Sequence, residues 1–223
     1  ITVIFMAFAV GSNLGASVVV SRLFGARDIG KMKSAVYTAF IACGLMSLIL
    51  TVLGYVYCGS MMRLIHTPSN IFGDGELYLK IYVFGLTFLF LYNVCTGIFT
   101  ALGDSKTPLY FLIGSSIGNI LLDYWFVAKF HWGVAGVVWD TFIAQGISAG
   151  LALVTLSLRL KGIKTSRRVV LFDLLLLSQI AAIAVPSIMQ QSVLSVGNMF
   201  VQEIVNRYGS AVIAGYSGAI KLN

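Results

Sequence analysis

Apolar residues run almost unbroken through six stretches of the chain, and the polar residues between them fall in short clusters rich in glycine, proline and charge. A bilayer core of about 30 Å is crossed by roughly 20 residues of helix. The pattern predicts helices over about 1–20, 34–62, 78–101, 108–128, 134–158 and 181–206, with a seventh starting near Ser210. Thr67-Pro68 and a Gly73/Gly75 turn flanked by Asp74 and Glu76 are expected to separate the second and third helices. Leu102-Gly103-Asp104-Ser105-Lys106-Thr107-Pro108 closes the third and opens the fourth, with Pro108 near a first-turn position. His131-Trp132-Gly133 is a tight turn between the fourth and fifth, with Tyr124, Trp125 and Trp132 as interfacial aromatics. Residues 169–180 are expected to begin as an interfacial helix with Asp173 near water, and Pro186 to lie near the start of the sixth span. Gly11, Gly15, Ala16 and Ser17 give the first helix a small flank suited to close helix contact.

Composition sharpens this picture. The chain is 58% hydrophobic and 10% charged, with a mean hydropathy of +0.93, against about 25% charged residues in soluble domains. Spanning β-barrels show alternating segments of about ten residues, and the runs here are longer and continuous. The fold class is therefore an all-α polytopic membrane protein, six spanning helices plus the start of a seventh. The net charge of +7 does not point to nucleic acid, because the basic residues sit in alternate loops. Arg22, Arg27, Lys31 and Lys33 fall in one, Lys106 in another, and Arg159, Lys161, Lys164, Arg167 and Arg168 in a third. The other side holds Arg63, Lys80, Lys129 and Arg207. By the positive-inside rule the basic loops face the cytoplasm, in a multi-pass protein of the plasma or inner membrane. Cys43, Cys58 and Cys95 are isolated and read as packing residues. Opening inside an apolar run at Ile1 and closing at Asn223 as another begins, the chain is expected to be an internal piece of a longer transporter-like protein.

Against this apolar background, Asp123 stands out. An intramembrane carboxylate costs at least about 2.5 kcal/mol and is functional by default. Asn119 lies one turn earlier and Ser115 a turn before that, on one face. At 1.5 Å per residue Asp123 is roughly 9 Å, and Thr141 roughly 12 Å, from the tight turn that joins their helices. Those helices must then be antiparallel neighbours whose polar groups meet at similar depth. Asp140 adjoins Thr141 but points about 100° away; it is a possible cavity-lining residue, with a position near the outer water slightly preferred. Gln190 and Gln191, with Ser187 and Ser195, form a mid-depth polar patch, and Tyr37, Tyr92, Asn93, Met46 and Phe88 are further candidates to line a cavity. Glu203 and Arg207 are spaced as an i,i+4 pair. His66 and His131 have no partner motif and read as surface residues.

Phe24-Gly25-Ala26-Arg27-Asp28, the 102–108 turn, Asn119-Ile120-Leu121-Leu122-Asp123, Trp132-Gly133-Val134-Ala135-Gly136 with Thr141 and Gln145, and Pro186-Ser187-Ile188-Met189-Gln190-Gln191 occur in this order. Together they resemble the multidrug and toxic compound extrusion (MATE) family, with spacing closest to its DinF-like prokaryotic branch. The resemblance covers essentially the whole chain. It implies two six-helix lobes around a central cavity. Residues 1–160 would be the amino-terminal lobe lacking the family's first helix, 161–180 a cytoplasmic connection and interfacial helix, and 181–223 the start of the carboxy-terminal lobe. It also implies antiport of small organic, cationic compounds or drugs against H⁺ or Na⁺ by alternating access, with the full-length protein a monomer. The cation or proton would be taken up at Asp123, Asn119 and Thr141, a possible Na⁺ site, and no cofactor beyond that coupling ion is expected.

Two alternatives stay open: a lipid-linked oligosaccharide flippase of the same superfamily, whose cavity would be more cationic, and a non-transporting membrane fragment. The chain carries no intramembrane His-Glu-x-x-His, paired catalytic aspartates or Gly-x-Ser-x-Gly, so it is not expected to be an enzyme.

Overall fold

A computed structural model of the chain describes residues 2–64, 69–125, 133–165 and 168–207. They form six helices, α1 (Thr2–Gly25), α2 (Ile29–Leu64), α3 (Ser69–Ala101), α4 (Lys106–Asp123), α5 (Gly133–Gly162) and α6 (Leu174–Arg207). All but α4 contain a segment long and apolar enough to cross a membrane. The seventh helix expected near Ser210 lies outside the described residues, as do Thr67-Pro68 and His131-Trp132.

Local chemistry sets the helix ends. α1 closes with Arg27 in the left-handed region (φ 56), the Arg27 amide donating to the Phe24 carbonyl and the Asp28 amide to the Leu23 carbonyl. That pair of bonds is the Schellman closure. Asp28 then accepts from the Lys31 amide at 3.3 Å and opens α2. α3 ends the same way, with Gly103 (φ 81) at the left-handed position and the Asp104 amide bonded to the Phe99 carbonyl. Asp104 in turn accepts from the Thr107 amide (3.1 Å) and hydroxyl (2.8 Å) in the first turn of α4. Arg22 is thus in the last turn of α1 and not in a loop.

Four expectations need correction. Gly73 and Gly75 do not form a turn: they lie inside α3, which starts at Ser69. With no Pro inside the helix and Ile71, Phe72 and Leu77 around them, the helical period wins over the glycine cost. Lys80 is likewise helical and pairs with Glu76 at 2.7 Å. Residues 174–180 are not a separate interfacial helix but the first turns of α6. Leu176 and Ile180 there are core residues, and Asp173 Oδ1 caps the amides of Leu175 and Leu176. Pro186 is therefore well inside α6 and not near its start.

The core lies in two clusters at opposite ends of the bundle. The larger gathers Val19 and Val20 of α1, Met32, Val36 and Ala39 of α2, Phe90, Val94 and Phe99 of α3, Leu156 and Leu160 of α5, and Ile180 of α6. Most of these positions fall toward the end where Arg22, Lys31, Lys33 and Arg159 cluster. The smaller, with Phe5, Cys58, Leu79, Val83 and Leu86, closes the other end. All three cysteines are buried. α1 packs against α2, α3 and α6, while α3 bridges α1, α2 and α5. α4 leans mainly on α5 and leaves Leu109, Leu112, Ile113, Ile117 and Ile120 exposed, as suits a helix whose outer face meets lipid.

Candidate functional site

Two glycines shape the space between α3 and α5. The Gly85 backbone faces Phe142 and Gln145, and the Gly146 backbone faces the Phe88 ring. Phe88 and Phe142 then meet edge to face at 5.3 Å, a favourable aromatic geometry. α4 crosses the same face of α5, and a cavity of about 260 Å³ opens where α3, α4 and α5 converge. Leu89 and Tyr92 line it from α3, Ser115, Ser116 and Asn119 from α4, and Thr141, Ala144, Gln145 and Ser148 from α5.

The sequence stripe is thus partly assembled. Ser115, Asn119 and Thr141 share one cavity wall system, and Thr141, Gln145 and Ser148 follow one another at i, i+4 and i+7 along α5. Asp123 is the last residue of α4; its side chain lies outside the described residues, and so do 126–132. Tyr124 and Trp125 continue α4 in a π-helical turn and are exposed.

Three of the lining donors are engaged within the protein. The Ser115 hydroxyl donates to the Leu112 carbonyl at 3.1 Å and the Ser148 hydroxyl to the Ala144 carbonyl at 2.8 Å. The Asn119 amide nitrogen donates to Asp140 Oδ2 at 3.1 Å. A hydroxyl whose proton is spent on its own helix still offers an oxygen lone pair. The oxygens of Ser115, Ser148 and Asn119 therefore remain able to accept.

Asp140 corrects its expected place near the outer water. It is 0% exposed and reaches across to α4, because position 140 shares a helix face with Ala144 and Ser148 on the buried side of α5. A buried carboxylate requires hydrogen-bonding partners, and Asn119 is one of them. The remaining cavity candidates lie elsewhere. Tyr37 is 37% exposed on α2, and Gln190 and Gln191 are exposed on α6. Asn93 turns its amide to the Leu89 carbonyl of its own helix at 2.8 Å. Ser116 and Ser148 were not singled out by the sequence; the i+7 spacing of Ser148 from Thr141 was the available signal. The side chains of Glu203 and Arg207 are outside the described residues, as are those of His66 and His131.

Long apolar helices around a polar cavity define an integral membrane protein of the helical, polytopic class. The family model described as MatE matches residues 1–125, and the chain belongs to that family. It is 30% identical over 220 residues to the probable multidrug resistance protein YoeA of Bacillus subtilis (strain 168), covering 96% of this chain and 48% of the relative. With the probable multidrug resistance protein YpnP of the same organism it shares 29% identity over 226 residues, 98% of this chain and 48% of the relative. The chain thus spans about half the length of the curated relatives it matches. Solved structures agree in fold. A MOP superfamily transporter from Pyrococcus furiosus Vc1 (DSM3638), described as having a binding pocket of reverse polarity, superposes with a TM-score of 0.87 at 20% identity, over 99% of this chain and 49% of that one. A MATE protein crystallised in a bent conformation gives 0.82 at 21% identity, over 98% and 49%.

Proposed function

We propose that the whole protein is a secondary-active multidrug efflux transporter that exchanges organic, mainly cationic compounds for H⁺ or Na⁺ by alternating access. In this reading residues 1–160 belong to the amino-terminal lobe and 181–223 open the carboxy-terminal one. Relatives that are probable multidrug resistance proteins support the substrate class. The observation that carries the coupling site is the cavity that Asn119 and Thr141 line together, with the Ser115, Ser148 and Asn119 donors already engaged within the protein. Side-chain oxygens from Asn119 and Thr141 in one cavity suit a hard cation or an ammonium group. Asp123, one turn beyond Asn119, supplies negative charge at the same end, and taking up or losing a cation there biases a two-state lobe. The flippase alternative fits less well: none of the described residues lining the cavity is Lys or Arg, the donors a pyrophosphate needs.

The test is ethidium efflux from proteoliposomes holding the whole protein, under imposed pH or Na⁺ gradients. Wild-type efflux should follow one of the gradients, and Asp123→Asn and Asn119→Ala should each weaken that dependence by about tenfold, the worth of one charge-assisted contact. Wild-type efflux indifferent to both gradients, or Asp123→Asn with full coupled efflux, would overturn the proposal.

A further inference from the structure

We infer that Asp140 is a positioning residue of this site: its carboxylate holds the Asn119 amide by the nitrogen and so fixes the Asn119 oxygen toward the cavity. The inference rests on the cation-coupling reading above and adds a residue to it. Asp140 is 0% exposed, is absent from the cavity lining, and accepts the Asn119 Nδ2–H at 3.1 Å. An asparagine side chain presents an acceptor on one arm and donors on the other, and its torsion is broad and nearly two-fold. Left to itself, Asn119 would offer either arm to the cavity with little preference.

A carboxylate beside it removes that choice. Carboxylate oxygens accept and the amide oxygen also accepts, so turning the amide over would set oxygen against Oδ2 in a desolvated place. The nitrogen must face Asp140, and the opposite arm must face where a cation would bind. Ordering a ligand through a buried carboxylate is the usual way that outer groups tune an ion site. The charge groups around this contact come from three helices. α4 contributes Asp123, one turn on, with its side chain outside the described residues. α3 contributes Tyr92 at the cavity. α5 itself carries no other acidic residue.

The experiment is a double-mutant cycle in the whole protein, reading the half-saturating concentration of the driving ion (H⁺ or Na⁺) for ethidium efflux from proteoliposomes. Asp140→Asn, which is isosteric and leaves the amide free to turn, should raise that concentration by about tenfold. On an Asn119→Ala background the same substitution should change it less than about twofold, because coupled residues are not additive. Asp140→Ser, shorter but still an acceptor, is the second variant should Asp140→Asn not give a monodisperse protein. Equal shifts in both backgrounds, or none in the wild type, would overturn the inference while leaving the coupling site standing. If Asn119→Ala alone leaves the half-saturating concentration unchanged, the coupling reading itself fails and this inference falls with it.

Discussion

The backbone of Gly15 in α1 lies so close to α6 that a Cβ built there would stand 2.8 Å from the Ala184 methyl and 2.7 Å from the Ile180 carbonyl oxygen. One turn earlier, Gly11 is pressed against Ile188 in the same manner. In a bilayer there is no gain from hiding apolar surface from lipid, so helices associate through close contact between small residues. Gly15→Ala should therefore push α6 off α1 and destabilise the whole protein by about 1–3 kcal/mol, the usual cost of overpacking. Gly44, with nothing within 4 Å of a built Cβ, is the control. Gly44→Ala should leave stability unchanged or raise it by about 0.5–1 kcal/mol, since helical glycine carries an entropic cost. Thermal midpoints in detergent check both, and a stable Gly15→Ala would show that α6 packs elsewhere.

The small flank of α1 was readable in advance, because it is a pattern of residue sizes, but its partner α6 was not. The six helices of the described residues and the 102–108 turn were readable for similar reasons, because apolar run length and glycine–proline chemistry act locally, although α4 is not itself long and apolar enough to count as a span. The Gly73/Gly75 segment misled because two glycines in five residues mimic a turn, whereas flanking apolar contacts keep α3 helical. Residues 174–180 misled because Asp173 reads as a solvated charge when it is a helix cap. The site was legible as a stripe on α4, but its partner on α5 was not. Asp140 sits beside a charge-tolerant turn in sequence, and only the rotation of α5 against α4 turns it inward to Asn119. Sequence spacing fixes a residue's face on its own helix, not which neighbour that face meets.

Arg27 carries a backbone conformation that L-residues adopt at a cost. Its φ of 56 places it in the left-handed region, where glycine pays no Cβ penalty. Gly103 fills the equivalent position after α3. Arg27→Gly should be neutral or stabilising, by up to about 1 kcal/mol. Arg27→Val, β-branched and poorly suited to positive φ, should be destabilising. Opposite signs for the two variants in a thermal melt are the expected result.

Asp104 should give the bundle an acid-sensitive turn. Hydrogen bonds from the Thr107 amide and hydroxyl hold its carboxyl below the ordinary 3.8, and Arg159 adds to them. A group whose folded pKa is depressed contributes stability above its unfolded pKa and loses it as pH falls through the folded one. The contribution is therefore complete above about pH 4 and fades below it. Asp104→Asn keeps an acceptor for Thr107 but removes the titration, so its melting temperature should fall less steeply than wild type below pH 4. Asp104→Ala should cost about 1 kcal/mol at neutral pH through loss of the cap. Arg159 is half exposed at 3.7 Å, so Arg159→Ala should cost less than the cap does.

The connection from α5 to α6 is held at two points by α2. The Val170 amide donates to the Ser34 hydroxyl at 2.9 Å and the Asp173 amide to the Thr38 hydroxyl at 3.1 Å. Both hydroxyls are buried, one turn apart on α2, and Ser34 passes its own proton to the Gly30 carbonyl at 3.1 Å. Because Asp173 caps α6, the Thr38 contact fixes where that helix starts and hence its register against Gly11 and Gly15. Thr38→Val keeps the volume but strands a backbone donor, which costs about 1–3 kcal/mol when the group is buried. Thr38→Ser keeps the acceptor and should cost less. Thermal midpoints in detergent check both: the midpoint should drop in Thr38→Val and stay nearer wild type in Thr38→Ser. Equal midpoints in all three proteins would show that α6 is held by the glycine contact alone.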